Sequence, residues 1–349
     1  MSPHTRHPLA CFVPPDLLHE IARHSKDAAL RQSALDSLAI DAGIRVRRAE
    51  VAARTLAAPT RARGEGGSPK RSIHDQRHHS DMTPGPVVRS EGQDPVDDPS
   101  VDQAYDGFGA TYKFYWEVLK RDSIDNEGME INGMVHFDTA YNNAFWDGEG
   151  HMWFGDGDGT MFTDFTKSLD VIGHELTHGV TQYTANLAYS GQSGALNESL
   201  SDVFGSLVKQ YALNQTADEA DWLIGPDVVG PELAPALRSM KAPGTANQYD
   251  RQPADMSGFV TTNRDNGGVH TNSGIPNRAF YLTATAIGGF AWETAGRIWY
   301  GAMNDARLRS NSRFSAFAQA TIRAATTIGG PDGDATKAVT EAWRTVKVL

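Results

Sequence analysis

The sequence predicts an α+β protein of two lobes, a β-rich N-terminal lobe and an α-helical C-terminal lobe, with one helix bridging them. Three observations lead there. Residues 73–168 are rich in Gly, aromatics and short alternating runs such as Gly133-Met134-Val135-His136-Phe137, the period of a half-buried strand. From about residue 190 onward, apolar residues recur at helical spacing. Between the two, residues 170–187 read as a single helix, with Asp170 as its N-cap and Val171, Ile172, Leu176 and Val180 on its buried side. A chain of 349 residues is long enough for two lobes and a sizeable core, and no internal repeat is evident.

Residues 1–72 carry helical stretches at Asp16–His24 and Leu30–Ala49, then a Gly-, Pro- and Arg-rich run over 57–71 that is open to proteases. This head is too short to build much of a core of its own. The β-rich lobe follows over 73–189, with a helix around Asp102–Leu119. Asn142-Asn143-Ala144-Phe145-Trp146 reads as an amphipathic strand ending in a turn at Asp147-Gly148. Asp156-Gly157-Asp158-Gly159 looks like a calcium loop, but an EF-hand needs Asp or Asn at 160 and Gly at 161, where Thr160 and Met161 stand. It reads better as a Gly-rich turn. The helical lobe, 190–349, has patterns at 197–213, 275–287, 289–304, 312–325 and 334–346.

Net charge is −11 and unevenly spread: residues 1–72 hold 12 Lys+Arg against 7 Asp+Glu, the remainder 20 against 36. A basic head on an acidic body is expected to dock within the molecule. Nucleic acid is not expected as a partner, since the head has almost no aromatics and the body would repel phosphate. No run of 18 apolar residues exists, so no membrane span is expected. Leu9-Ala10-Cys11-Phe12-Val13 is stopped at once by Pro14-Pro15, so no Sec-type signal is expected. The expected location is the cytoplasm, with export by another route as the alternative. One cysteine permits no internal disulfide, and a monomer is expected.

The chemistry concentrates at His174-Glu175-Leu176-Thr177-His178. Two imidazoles four residues apart sit roughly 40° apart on a helix face and can share one metal ion. Glu175 points near that ion without having to bind it, as a base toward metal-held water. The extended form of this motif needs Gly at 181 and His at 184, and Thr181 and Thr184 exclude it. A third ligand from the next helix fits: Glu198 lies in the first turn of the 197–213 pattern, with Asp202 four residues on along the same face. Such a carboxylate pair would repel itself if buried, unless a metal on Glu198 and an imidazole N–H on Asp202 compensate.

With these motifs the chain resembles the thermolysin family of zinc metalloendopeptidases, most closely its protealysin-like branch, over residues from about Ile73 to the C-terminus. The resemblance implies a thermolysin-like two-lobe zincin with one catalytic zinc on His174, His178 and Glu198. It implies that Asp202 orients His174, that Asn197 steadies His178, and that Glu175 is the general base. His270, in Asp265-Asn266-Gly267-Gly268-Val269-His270, would donate to the oxyanion, with Asp265 holding its ring and Tyr189 sharing the role. Arg238 would hold a substrate carbonyl, and Asn143 and the Ala144 carbonyl would bind substrate backbone. Phe162, Val171, Ile224 and Leu237 would form a pocket for the residue after the scissile bond. The implied activity is hydrolysis of proteins or peptides on the N-terminal side of bulky hydrophobic residues.

Phe12-Val13-Pro14-Pro15-Asp16-Leu17-Leu18 resembles the short propeptide of that branch. Pro14, Pro15 and Leu17 would then block the cleft until processing near residues 64–73, with Ser72–Ile73 as one fitting bond. A Cys11 thiolate could cap the zinc, but a small, partly buried Cys with no metal role is the favoured reading. Asp170 and Asp221 match two carboxylates of the family's double calcium site, but Lys209, Leu223 and Pro226 replace others. That site is expected to be absent, with Lys209 supplying the charge. His74, His78, His79, His136 and His151 have no motif partners and read as structural or surface residues. The alternative reading is a catalytically silent, zinc-stabilised partner-binding protein. A structural zinc would need a fourth ligand, and none is placed except Cys11.

Overall fold

The computed structural model describes residues 10–52 and 67–349. The expected α+β architecture is present, with a mixed sheet preceding a helical body. Six strands form the sheet: β1 (Ala10–Cys11), β2 (Arg71–Asp75), β3 (Val87–Ser90), β4 (Ile131–Val135), β5 (Ala144–Trp146) and β6 (His151–Phe154), in the order β1-β5-β6-β4-β2-β3. β2, β4 and β6 run parallel to one another, while β3, β5 and β1 pair antiparallel. The turn at Asp147-Gly148 is the one expected: Asp147 accepts from the amides of Glu149, Gly150 and His151, which locks the β5–β6 hairpin.

Without the head, β5 would be an edge strand. The two residues of β1 cover it, with Ala10 opposite Trp146 and Cys11 opposite Phe145. From there the head continues into α1 (Pro15–His24) and α2 (Ala28–Ala52). Pro15 starts α1 at the first helical position, where no N–H is needed. Leu17, Leu18 and Ile21 are buried in the same core as the catalytic body. The described part of the head therefore lies against the rest of the molecule. Ser72 and Ile73 lie inside β2, paired on both sides, with Ile73 fully buried. The Ser72–Ile73 bond is thus not accessible to a protease while the sheet is intact, and residues 53–66 of the processing run lie outside the described residues.

Helix α3 (Pro99–Leu119) is capped by Asp98, whose carboxylate accepts from Ser100 and Val101. α4 (Leu169–Gln182) carries the two motif histidines, and all twelve residues from Asp170 to Thr181 are buried. α5 (Gly191–Leu213) begins six residues before the expected 197, so Glu198 lies well inside the helix rather than in its first turn. Further along, α5 approaches α4 closely. A Cβ on Gly205 would stand 2.4 Å from the Asp170 carbonyl, and one on Gly173 would meet the Gly205 Cα at 3.0 Å. Those two glycines bring the helix backbones together, which puts the Glu198 turn opposite the histidines.

The two-stranded hairpin β7 (Leu223–Ile224) and β8 (Arg238–Ser239) follows α5. The rest is α6 (Asp265–Asn272), α7 (Gly274–Ile287), α8 (Ala295–Met303), α9 (Phe314–Gly329) and α10 (Asp334–Thr345). The helix expected from 289 starts only at Ala295, because Gly288 and Gly289 take positive φ and turn the chain first. No helix among the described residues is long and apolar enough to cross a membrane.

Candidate metal centre and substrate cleft

His174 and His178 project from α4 with their rings at 83° and their Nε2 atoms 3.0 Å apart. Each Nδ1 has an acceptor: Asp202 Oδ1 at 2.8 Å from His174 and Asn197 Oδ1 at 2.8 Å from His178. Ser201 Oγ lies 3.1 Å from His178 Nδ1 as well. With the Nδ1 protons committed outward, the two Nε2 lone pairs face each other. Glu198 adds carboxylate oxygens 3.6 Å from His174 Nε2 and 3.5 Å from His178 Nε2. Three electron-rich atoms pointing into one dry spot are repulsive unless a cation lies between them. His174, His178 and Glu198 form such a group, with ligand atoms all within 4.8 Å of one another, and all three are buried. Two imidazoles and one carboxylate suit zinc with an open position. Burial, and then the neighbouring His174, holds His178 well below the usual imidazole range, so it is neutral and available as a ligand.

Asp202 is the hub behind the histidines. It accepts from Arg238 Nε and Nη2 at 2.9 and 2.8 Å and from Asn277 Nδ2 at 2.8 Å. Burial opposes its charge, but Arg238 and His174 outweigh that and keep its carboxyl well below the usual range. Asn277 was not singled out by sequence, since a lone Asn on a helix carries no pattern.

Glu175 is fully buried, and neither of its carboxylate oxygens has a hydrogen-bond partner. Burial first and Glu198 second push its carboxyl well above the ordinary carboxylate range. A buried carboxylate that would hold a proton when given one has the character of a general base.

Opposite stands His270. α6 is interrupted at Asn266, Gly267 and Gly268, which all take positive φ, and this break turns His270 into the cleft. Asp265 holds it twice, through His270 Nδ1 at 2.6 Å and the His270 amide at 2.9 Å, and Gln252 Nε2 donates to its carbonyl at 2.7 Å. Burial disfavours charge on His270, but Asp265 and then Glu198 hold its pKa up to about 9. Tyr189 places its hydroxyl 3.2 Å from His270 Nε2 and donates to Glu198 Oε1.

The head occupies the cleft as an extended strand. The Phe12 amide donates to the Ala144 carbonyl at 3.0 Å. The Val13 amide donates to Asn143 Oδ1 at 2.7 Å, and Asn143 Nδ2 donates back to the Val13 carbonyl at 3.3 Å. Arg238 Nη1 donates to the Phe12 carbonyl at 2.9 Å, and the Cys11 carbonyl lies 2.7 Å from His270 Nε2. The Phe12 ring is fully buried, edge-on to His174, under the Arg238 guanidinium, in one apolar cluster with Phe162, Val171, Ile224 and Leu237. Gly225 makes room: a Cβ there would stand 3.0 Å from the ring, and its φ is +68°. Pro14 and Leu17 line a cavity beside Leu237, Arg238 and His270, and Pro15 lines a second cavity with Tyr189 and His270.

The Cys11 thiol does not point at the metal centre. Its side chain packs with Ile44, Met134, Phe137, Tyr141, Phe145 and Trp153 on the other side of the sheet, and only its carbonyl reaches the cleft. Further along the head, Asp41 accepts from the Tyr141 hydroxyl at 2.8 Å and from Asn143 Nδ2, and Ser33 and Ser37 accept from Asn142 Nδ2. These anchors were not expected, because the head's helices show no motif that marks them.

At the calcium-like positions, Lys209 Nζ donates to Asp170 Oδ2 at 3.0 Å, Asp221 Oδ1 at 3.1 Å and the Leu223 carbonyl at 2.9 Å. Asp158 caps its own turn, accepting from the amides of Thr160 and Met161.

Family models describing the catalytic domain and the alpha-helical domain of thermolysin metallopeptidase match residues 69–182 and 185–348. The chain is similar to an extracellular metalloprotease of Pectobacterium carotovorum subsp. carotovorum, 47% identical over 322 residues and 90% of each chain. It is also similar to a thermolysin of Alicyclobacillus acidocaldarius subsp. acidocaldarius, 41% identical over 69% of this chain and 44% of that one. Among solved structures, the precursor of protealysin, a metalloproteinase from Serratia proteamaculans, superposes with a TM-score of 0.86 at 45% identity, over 97% of this chain and 100% of that one.

Proposed function

This chain belongs to the thermolysin metallopeptidase family and is a zinc-dependent endopeptidase, and from that premise we propose that it is the self-blocked precursor of an enzyme cleaving before bulky hydrophobic residues. One observation carries the reading. The Cys11–Phe12–Val13 segment meets Asn143, Ala144, Arg238 and His270, with the Cys11 carbonyl against His270 and the Phe12 ring in one apolar cluster with Phe162, Val171, Ile224 and Leu237. A substrate laid on β5 in the same register would put its scissile carbonyl where the Cys11 carbonyl is and its next side chain where Phe12 is. The apolar residues around Phe12 favour Phe, Leu, Ile or Val there.

In this reading His174, His178 and Glu198 hold the zinc. When bound, it supplies Lewis acidity to the substrate carbonyl and to water. Glu175, dry and without a hydrogen-bond partner, takes the proton of the attacking water and returns it to the leaving amine. His270, kept charged by Asp265, donates to the developing oxyanion, and Tyr189 stands beside it for the same task. Arg238 and Asn143 fix the backbone on either side of the pocket, and Asp202 and Asn197 fix the histidine rings.

The boundaries we propose are a prosegment up to the start of β2, a β-rich lobe with the zinc helix to about residue 189, and a helical lobe beyond. Cutting in the 53–70 stretch would separate the prosegment with β1 and leave strands β2 to β6 intact. We also propose that Lys209 stands where the family's double calcium site would lie. Export agrees better than cytoplasmic residence with the extracellular naming of the Pectobacterium relative.

The test is incubation of wild-type and Glu175→Ala precursors, followed by intact mass and by hydrolysis of a peptide with Leu after the scissile bond, with and without a zinc chelator. Wild type should lose roughly its first 70 residues and gain chelator-sensitive activity, while the variant stays whole. Cleavage of both proteins alike, or chelator-insensitive activity, would overturn the reading.

A further inference from the structure

We propose that His78, His136 and Asp156 form a second divalent-metal site, separate from the catalytic cluster and of the borderline transition-metal class that imidazole and carboxylate select together. The three residues follow the C-terminal ends of β2, β4 and β6, the three adjacent parallel strands. The sheet fixes their spacing: the His78 amide donates to the His136 carbonyl at 2.9 Å, and the Phe137 amide donates to the Phe154 carbonyl at 3.0 Å. Their ligand atoms lie within 4.8 Å of one another.

His136 Nδ1 is 3.0 Å from both Asp156 oxygens, and His78 Nδ1 is 3.5 Å from Asp156 Oδ2. The Asp138 carbonyl lies 3.3 Å from the same His78 nitrogen and offers a fourth donor. An ion pair with Asp156 would account for His136 alone. It does not account for a second imidazole, with ring centroids 5.5 Å apart, brought to the same carboxylate. On the other side of His136, Nε2 is 3.1 Å from Asp98 Oδ2. A carboxylate behind the ring that donates to it fixes the tautomer that leaves Nδ1 as the ligand, the arrangement metal-bound histidines show. Both histidines also take positive φ, +60° and +54°, which L side chains rarely adopt and which concentrates at functional sites. His78 is more than half exposed, so the remaining coordination positions face water and an ion can enter. Two imidazoles and a carboxylate with open positions favour zinc, nickel or copper(II) over calcium or magnesium.

The probe is Zn2+ titrated calorimetrically into the Glu175→Gln precursor already holding one equivalent, with cobalt(II) absorption as a second readout. A second equivalent is expected to bind. His78→Ala should weaken it at least about tenfold, and Asp98→Asn by about 10–100-fold, as loss of a supporting carboxylate does. Asn still caps α3, so that variant keeps the helix start. His174→Ala should remove the other equivalent and leave this one, which separates failure here from failure of the catalytic reading. The proposal is overturned if the parent takes up only one equivalent, or if His78→Ala and Asp98→Asn bind the second as tightly as the parent does.

Discussion

Replacing Lys209 by Met tests whether a side chain does the work of a bound cation at the head of the zinc helix. Lys209 Nζ lies 3.0 Å from Asp170, which is fully buried, and 3.1 Å from Asp221, which is about half exposed. Met fills the space of the lysine stem, so lost packing contributes little. The Asp221 contact is screened by water and adds almost nothing. The effect therefore rests on Asp170. Removing one partner of a buried pair costs about 3–5 kcal/mol, because the other charge is left uncompensated. Asp170 keeps donors from Ser168 Oγ at 2.5 Å and the Gly225 amide at 3.2 Å, which places the loss near the lower figure, about 3 kcal/mol. For a chain of 349 residues that is a fall of about 4 °C in melting temperature.

The assay is a thermal scan of the Glu175→Gln precursor, with and without Lys209→Met. The sign with pH is also fixed. Burial opposes the Lys209 charge, but Asp170 and Asp221 hold its pKa above the usual value. A raised pKa means that its contribution is fully present below pH 10 and is lost only above it, as the lysine deprotonates. Lys209→Glu should become calcium-dependent, recovering with millimolar Ca2+ more than the parent gains. A fall under about 2 °C, or equal calcium gains in the parent and Lys209→Glu, would refute the substitution of lysine for calcium.

Phe12→Ala should release the block: emptying a fully buried aromatic site costs about 3–5 kcal/mol, or a loss of hold of about 100-fold or more, read as peptide hydrolysis by the uncut precursor. Unchanged latency would mean that α1 and α2 alone cover the cleft. Asp265→Asn removes the larger of the two charges that hold His270 up to about 9, so the alkaline limb of kcat/KM in the processed enzyme should move to lower pH. Zinc on Glu198 cancels the other charge, so the parent limb should lie at or below that value; a limb that Asp265→Asn leaves in place would exclude His270 as its source. Arg238→Lys loses the paired bonds to Asp202 and the bond to the Phe12 carbonyl position, and kcat/KM should fall by about 2–3 kcal/mol, roughly 30- to 150-fold. An unchanged value would remove Arg238 from the substrate path.

What could be read from the sequence was whatever depends on spacing along one element. His174, Glu175 and His178 share a helix face by their interval alone, and Glu198 and Asp202 share another, so their convergence was legible once the two helices were taken as neighbours. The start of α5 was not legible, because Ser190 to Leu196 shows no clear apolar period and the helix there packs through Gly194, where a Cβ would stand 2.4 Å from Val269 Cγ1. The His78–His136–Asp156 cluster was hidden for a different reason. Its members stand at the ends of three strands that neighbour one another only through the parallel crossovers, and no interval along the chain records that. The register of the head on β5 was likewise a tertiary matter: two residues of strand have no periodicity to read, yet they decide which peptide bond meets His270.

The charges buried around the cleft explain why this fold recruits one cation and builds in another. The side chains of Glu175, Glu198, Asp202 and Asp265 are at most 1% exposed, and they face only Arg238 and a charged His270. That leaves a surplus of two negative charges in a dry site, which is too costly to keep uncompensated. One divalent ion on the Nε2 atoms and Glu198 cancels it. Without the ion protons must come instead, and Glu175, pushed up by burial and then by Glu198, is placed to take one, which halves the surplus. Metal loss should therefore silence the base and the Lewis acid together. At Asp170 the requirement is different: nothing has to bind or leave there, so a tethered ammonium on Lys209 satisfies the buried carboxylate for good. An exchangeable ion is retained where an open coordination position is used, and a side chain replaces it where only charge is needed.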